Sequence, residues 1–318
     1  MTTPTPAPAP DRDGPHRPAE SDRAAQGTPG TERARAGAAR TAQHPAPRAA
    51  CTADSTGDLA FHVTHPPAAP DGGPLHVLLR RRGKDPAEEL RLPLVPLADG
   101  RPGAVLALAH PLAEGRWDAY LEDPGAGGPP LRLAPGVHDL RALVDRVPDP
   151  AGDPVAVRIP YTTKQGDLAV RSWRRLPHAE AGELHIAGGT LTVHGVLHAV
   201  APTEHAHAEL LRRGSGTVLR APIAVDGNGF RCTVAYRVLA DAAPPGVWDL
   251  WLRPAGQEGP RVRIARLLDD IADKKHIFAF PAVRVAGGRV EAGPYYTLDN
   301  DLAVRVEPVA DEDGAGSG

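Results

Sequence analysis

The chain spells nearly the same phrase twice. Residues 160–172 read PYTTKQGDLAVRS, and residues 294–306 read PYYTLDNDLAVRV. Three more pairs occur in the same order: GDLAFHV at 57–63 with GTLTVHG at 189–195, LLRRRG at 78–83 with LLRRG at 210–214, and GRWDAYL at 115–121 with GVWDLWL at 246–252. The offsets lie between 131 and 134 residues. Four ordered blocks at a near-constant offset require one structural unit built twice. Each unit then has the length of a single β domain.

The repeats set the expected organisation: a tail over 1–56, a first copy over 57–175, a joint over 176–182, a second copy over 183–308 and a short tail over 309–318. The first segment is rich in Pro, Ala and Arg with few bulky apolar residues, so it cannot bury enough surface to offset its ordering entropy, and disorder is expected there. Cys51 falls in that tail and is expected to be an exposed thiol, whereas Cys232 sits in an alternating apolar run and is expected to be buried. Two cysteines make no disulfide framework. After Gly57 the pattern is short alternating runs broken by Gly, Pro, Asp and Asn, which reads as strands and turns.

The expected fold is all-β: two tandem immunoglobulin-like sandwiches, with a jelly roll or small barrel as alternatives. The repeated phrase becomes the closing hairpin of each copy, with QGD (165–167) and DND (299–301) supplying the residues that tolerate a tight turn. Residues 140–145 and 266–273 are expected to make single helical turns.

Alternation along the W-D strand separates two rows of side chains. Trp117 and Trp248 are expected to anchor the cores, with Tyr161 and Tyr295 packing structurally at the hairpins. Tyr120 and Trp251 then project from the opposite face. Such aromatics offer a platform for sugar rings or a partner surface and are the candidate ligand-binding residues, set against packing under a neighbouring domain or loop. His205 and His207 share one side of a strand and form half of a candidate metal site, among the neighbouring His185, His194 and His198. The third ligand is missing from the pattern, so no metal is expected.

The net charge is −3, from 36 basic and 39 acidic residues, and no long basic run occurs, so a nucleic-acid partner is not expected. The Arg80–Arg82 cluster reads as a solvated strand end. No apolar run is long enough to span a bilayer and no signal-like segment follows Met1; a cytoplasmic location is expected, at the inner membrane face if a partner holds the chain there. Nucleotide-binding, nucleophile-elbow and zincin motifs are absent, so no catalytic residue is assigned and no cofactor is expected.

The strand G-x-W-D-x-x-L-R, followed by the hairpin P-Y-x-T-x-x-[GN]-[DN]-L-[AS]-V-R, resembles the C-terminal accessory repeats of actinobacterial family 2 glycosyltransferases and teichoic-acid-type glycerophosphotransferases. The resemblance covers most of 57–308 and rests on W-D at 117–118 and 248–249, P-Y at 160–161 and 294–295, and D-L-A-V-R at 167–171 and 301–305. It implies β-sandwich modules that accompany a catalytic domain, none of whose catalytic motifs occurs here. The expected role is a non-catalytic module for a cell-envelope glycan, a teichoic-acid-like polyol-phosphate polymer or a glycosyltransferase partner. The alternatives are a transferase or hydrolase whose site lies between the copies and uses His205, His207 and Asp270, and a purely structural spacer. Oligomeric state is not readable from these features.

Overall fold

A computed structural model describes residues 46–64, 66, 73–144, 146–148 and 153–309. Among the described residues the fold is all-β apart from one short helix and two 3-10 turns. The expected tails fall outside these residues, except for 46–56 and Val309.

The first copy begins earlier than its repeat pattern suggests. Strand β1 (Arg48–Ala53) lies inside the expected tail and pairs antiparallel with β2 (Leu59–Thr64). Cys51 is therefore buried in the core instead of exposed, and burial pushes its thiol pKa up. Its run, RAACTA, has small apolar side chains at alternate positions, which suits a buried strand but lacks the bulky residues that normally announce one.

The copy continues through β3 (His76–Arg81), β4 (Glu89–Pro93), β5 (Val95–Pro96), β6 (Pro102–Leu106), β7 (Gly115–Glu122), β8 (Leu131–Arg132), β9 (Ala134–Asp139), β10 (Val155–Thr162) and β11 (Leu168–Arg175). Two sheets result, ordered β5-β6-β2-β1-β9 and β10-β11-β7-β3-β4, with β8 beside β7. Side chains of both sheets, including Phe61, Val77, Trp117 and Ile159, share one core.

The second copy starts at β12 (His178–Ala187), so the expected joint over 176–182 shrinks to Leu176 and Pro177. It runs on through β13 (Thr190–His198), β14 (His207–Arg212), β15 (Val218–Asp226), β16 (Gly229–Ala235), helix α1 (Tyr236–Ala242), β17 (Gly246–Arg253), β18 (Val262–Ala265), β19 (Val283–Val285), β20 (Val290–Tyr296) and β21 (Leu302–Pro308). Here the sandwich expectation needs correction. The ring β14-β15-β16-β13-β12-β18-β17 returns to β14 and closes a seven-strand barrel, with β21, β20 and β19 continuing from β17.

The two copies differ at their corners. β15 pairs with β14 over its first half and with β16 over its second, and β18 joins β17 to β12 in the same way. In the first copy the matching segments are interrupted at Leu94 and Leu133, giving β4 then β5 and β8 then β9. Unbroken corner strands close a barrel; interrupted ones leave two sheets.

Other local expectations divide. A 3-10 turn forms at Arg141–Leu143, inside the expected 140–145, but 266–273 forms no helix and α1 was not expected. The hairpin turns place Gly166 at φ 84° and Asn300 at φ 59°, the left-handed backbone that Gly and Asn tolerate. Trp117 (4% exposed) and Trp248 (0%) are the expected core anchors. Gly115 and Gly246 precede them at φ 155° and 153°, and an arginine, Arg81 or Arg212, occupies the space a Cβ would need.

Within the compact unit that holds both copies, the second caps the first. Trp173 at the end of β11 is fully buried and donates its indole N–H to the Asp299 carbonyl at 3.1 Å. Ala265 and Leu267 of the second copy belong to the first copy's core. Arg171 pairs with Asp299, and Arg175 donates to Asp301 at 2.8 Å. In the second copy Glu307 stands where the first has Trp173: Val157 faces Trp173 across one hairpin, and Glu291 faces Glu307 across the other.

The same hairpin aspartate is thus shallow in one copy and deep in the other. Asp301 is 1% exposed and contacts both Arg175 and Arg263, while the Asp167 side chain is 33% exposed and contacts Arg132. Asp301→Ala is expected to destabilise the protein by about 3–5 kcal/mol, because it strands two guanidiniums. Asp167→Ala should lose no more than about 1 kcal/mol. Urea unfolding of both variants checks this; equal losses would contradict the interface described here.

Candidate functional site

The W-D strand and the closing hairpin meet through an arginine that neither repeated phrase contains. Asp118 takes Arg82 at 2.5 Å and Arg132 at 3.2 Å, and Arg132 reaches on to Asp167 at 3.2 Å. The second copy repeats the ladder: Asp249 takes Arg213 at 2.6 Å and Arg263 at 3.6 Å, and Arg263 reaches Asp301 at 2.6 Å. The aspartates of W-D and D-L-A-V-R thus hold one arginine between them. The segments LRLA (131–134) and VRIA (262–265) match at an offset of 131 and carried the signal for it.

These arginines also decide the setting of the candidate ligand aromatics. Tyr120 is half-buried, with the Arg80 and Arg132 guanidinium carbons 5.1 and 4.8 Å from its ring centre. Trp251 is half-buried beneath Arg263 at 4.4 Å and Arg261 at 5.8 Å. Cation–π contacts of this kind take up ring surface that a sugar would need. Of the two hairpin tyrosines, Tyr295 carries Arg305 at 4.5 Å from its ring centre, and the neighbouring Tyr296 fills the core. Tyr161 instead lines a groove.

That groove is a concavity of about 650 Å³ between the two copies. The first copy supplies Arg82, Arg116, His138, Tyr161, Lys164 and Arg171; the second supplies Asp270, Ile271, Asp273, His276 and Ile277. Its size suits a small organic unit or a short stretch of polymer. The hairpin phrase places Tyr161 and Lys164, strand β7 places Arg116, and the docking of the second copy supplies the opposite wall.

Some of the buried polar atoms that lack a hydrogen-bond partner belong to residues lining this groove, while others lie elsewhere in both copies. The Tyr161 hydroxyl, both ring nitrogens of His138 and Nε of Arg171 are buried there without a hydrogen-bond partner in the structure. Buried polar groups are normally satisfied, and unsatisfied ones mark places where water, an ion or a ligand belongs. Arg116, Lys164 and Asp270 have no charged partner among the described residues, and Asp273 accepts only the Lys275 backbone N–H at 3.2 Å. By contrast, the three arginines of the 80–82 cluster are all paired, with Glu89, Glu88 and Asp118. Burial lowers the His138 pKa below its usual value, against a smaller opposing effect of the Val137 backbone.

A buried cluster sits behind the acidic wall. Lys274 is fully buried, donating to Asp269 at 2.6 Å and to the Ile271 carbonyl at 2.9 Å. Burial lowers its pKa, and Asp269 opposes that shift. Asn300 accepts the Lys274 backbone N–H at 3.1 Å, and Glu180 accepts those of Leu267 and Leu268. This network fixes the loop that carries Asp270 and Asp273.

The histidine candidates fall elsewhere. His207 donates its Nδ1–H to the His205 carbonyl at 3.0 Å and lies 3.7 Å from Glu209; neither His205 nor His207 lines the groove that holds Asp270. Burial would raise the Glu209 pKa, but Arg253 and Arg261 bring it below the usual carboxylate range. Among the described residues no group of three or more His, Cys, Asp or Glu side chains is arranged to hold a metal ion. No helix among them is long and apolar enough to cross a membrane.

No protein-family model matches the chain, and no curated protein matches its sequence. Among solved structures it is distantly similar to TarS of S. aureus: 14% identity and a TM-score of 0.35 over 45% of this chain and 27% of that one. For the 217–571 portion of TarS the values are 12% and 0.35, over 62% of this chain and 46% of that one. A tetra-tandem repeat from the extending region of a large adhesion protein gives 9% identity and a TM-score of 0.20, over 84% of this chain and 64% of that one. The chain thus spans less than half of either TarS structure.

A histidine held neutral by burial makes stability depend on pH. The unfolded chain titrates His138 near about pH 6.5, and the folded protein titrates it lower. Its contribution is therefore complete above the unfolded value and is lost as pH falls through the folded one. His138→Gln should flatten the decline of stability between about pH 6.5 and pH 5, measured by urea unfolding across that range. His198, shifted the same way by burial and by His178, remains as the internal comparison. An unchanged pH slope in the variant would contradict the burial argument.

Proposed function

We propose that the chain is a non-catalytic binding module whose inter-copy groove takes an anionic cell-envelope polymer, a phosphate-bearing glycan or polyol-phosphate chain. The observation that carries this reading is a pair of uncompensated cations lining one groove beside buried polar groups. Arg116 and Lys164 are uncompensated cations, and Tyr161, His138 and Arg171 bring polar atoms lacking partners. Arginine and lysine are suited to phosphate oxygens, and hydroxyl and imidazole groups to sugar or polyol hydroxyls. The apolar Leu140, Ile271 and Ile277 in the lining suit the carbon faces of such a chain.

The module reading also agrees with the motif resemblance to accessory repeats, and within it we keep an immunoglobulin-like assignment for the two-sheet first copy only. The primary ligand surface moves from Tyr120 and Trp251 to the groove, because guanidiniums already lie over both of those rings.

Titration calorimetry with a glycerol phosphate polymer tests the proposal. Arg116→Ala should weaken binding about tenfold or more, the usual scale of a lost charge-assisted contact, with an unchanged circular dichroism spectrum. Tyr120→Ala should alter affinity far less. Equal affinity for a neutral polysaccharide of similar length, or no effect of Arg116→Ala, would remove this function.

A further inference from the structure

The groove keeps its charges on separate walls. Arg116 and Lys164 belong to the first copy, and Asp270 and Asp273 to the second. Nearby, opposite charges from the two copies do pair, as Arg171 with Asp299 and Arg175 with Asp301. The four groove residues form no ion pair with one another or with any other described residue. Collapse of the walls onto each other is prevented by the docking beneath them, where Trp173 is buried and Asn300 and Lys274 brace the acidic loop. Arg171, only 7% exposed and with Nε lacking a partner, lines the same space.

A neutral glycan would leave all four charges unused. A purely anionic chain would satisfy the cations but bring its charge toward two carboxylates, a repulsion that works against binding. A unit of both signs satisfies both walls. Resting on the binding role proposed above, we infer that the groove selects a zwitterionic unit, a phosphate ester carrying a primary ammonium group. The phosphate lies toward Arg116 and Lys164, and the ammonium toward Asp270 and Asp273. Recognition is non-covalent, and no bond is made or broken.

The test uses the full chain and three soluble probes: sn-glycero-3-phosphoethanolamine, sn-glycerol 3-phosphate and ethanolamine, each competed against the glycerol phosphate polymer. The wild-type protein should bind the zwitterion about tenfold more tightly than glycerol 3-phosphate, the effect expected of one or two partly exposed charge pairs. The double variant Asp270→Asn, Asp273→Asn should lose that preference while holding glycerol 3-phosphate at least as well; asparagine at 273 keeps an acceptor for the Lys275 N–H. Arg116→Ala should weaken both phosphate probes.

Equal affinity of the wild type for the two phosphates, or a preference that survives the double variant, overturns the zwitterion inference and leaves the groove as an anion site. Failure of every phosphate probe and of the polymer overturns the groove reading itself, and this inference with it. Sedimentation with phosphatidylethanolamine vesicles separates the two sources of such a unit. Pelleting abolished by the double variant supports the inference with a lipid headgroup as the source. A chain that stays in solution yet prefers the soluble zwitterion supports it with a polymer as the source.

Discussion

In each copy one arginine, Arg132 or Arg263, joins the two repeated phrases. It bridges the aspartate of the W-D strand and the aspartate of the closing hairpin, so elements more than 40 residues apart in sequence meet at one guanidinium. Its fork can satisfy two carboxylates at once, which a lysine could not do with the same geometry. The aromatic side chain two positions beyond the first aspartate, Tyr120 or Trp251, packs against it. The repeated phrase that divides the chain into two copies is, physically, one half of this clamp.

The clamp also explains how two similar units become one body. In the second copy the hairpin aspartate accepts an additional arginine from the first, Arg175, and the neighbouring Asp299 engages Arg171 and Trp173. The inter-copy contact thus reuses the turn that completes each copy's own fold. The groove follows from that arrangement: the hairpin of one copy and the braced loop of the other line it, with a charged wall on each side.

Much of the fold was legible because duplication lets the sequence annotate itself. The matching blocks located the W-D strands, the core tryptophans and the hairpin turns correctly. Barrel closure was not legible. It depends on whether the corner strands run on through Ile223 and Ile264 or break at Leu94 and Leu133, and residues of similar character stand at both kinds of corner. β1 was missed because Ala49, Cys51 and Ala53 are small, and their neighbourhood in sequence is tail-like. The groove was least legible of all. Arg116, His138 and Tyr161 come from different strands of one copy, Asp270 and Asp273 come from the other, and no local pattern announces that docking will bring them together.

The substitution of Glu307 for Trp173 has a consequence for assembly. The first copy ends in an indole that enters the next copy's territory, whereas the second ends in a carboxylate at the same register. The docking that buries Trp173 beside the second copy thus has no matching side chain on the second copy's own closing hairpin. The two copies therefore differ at one matched edge: the first buries an indole there, and the second carries a carboxylate at the same register.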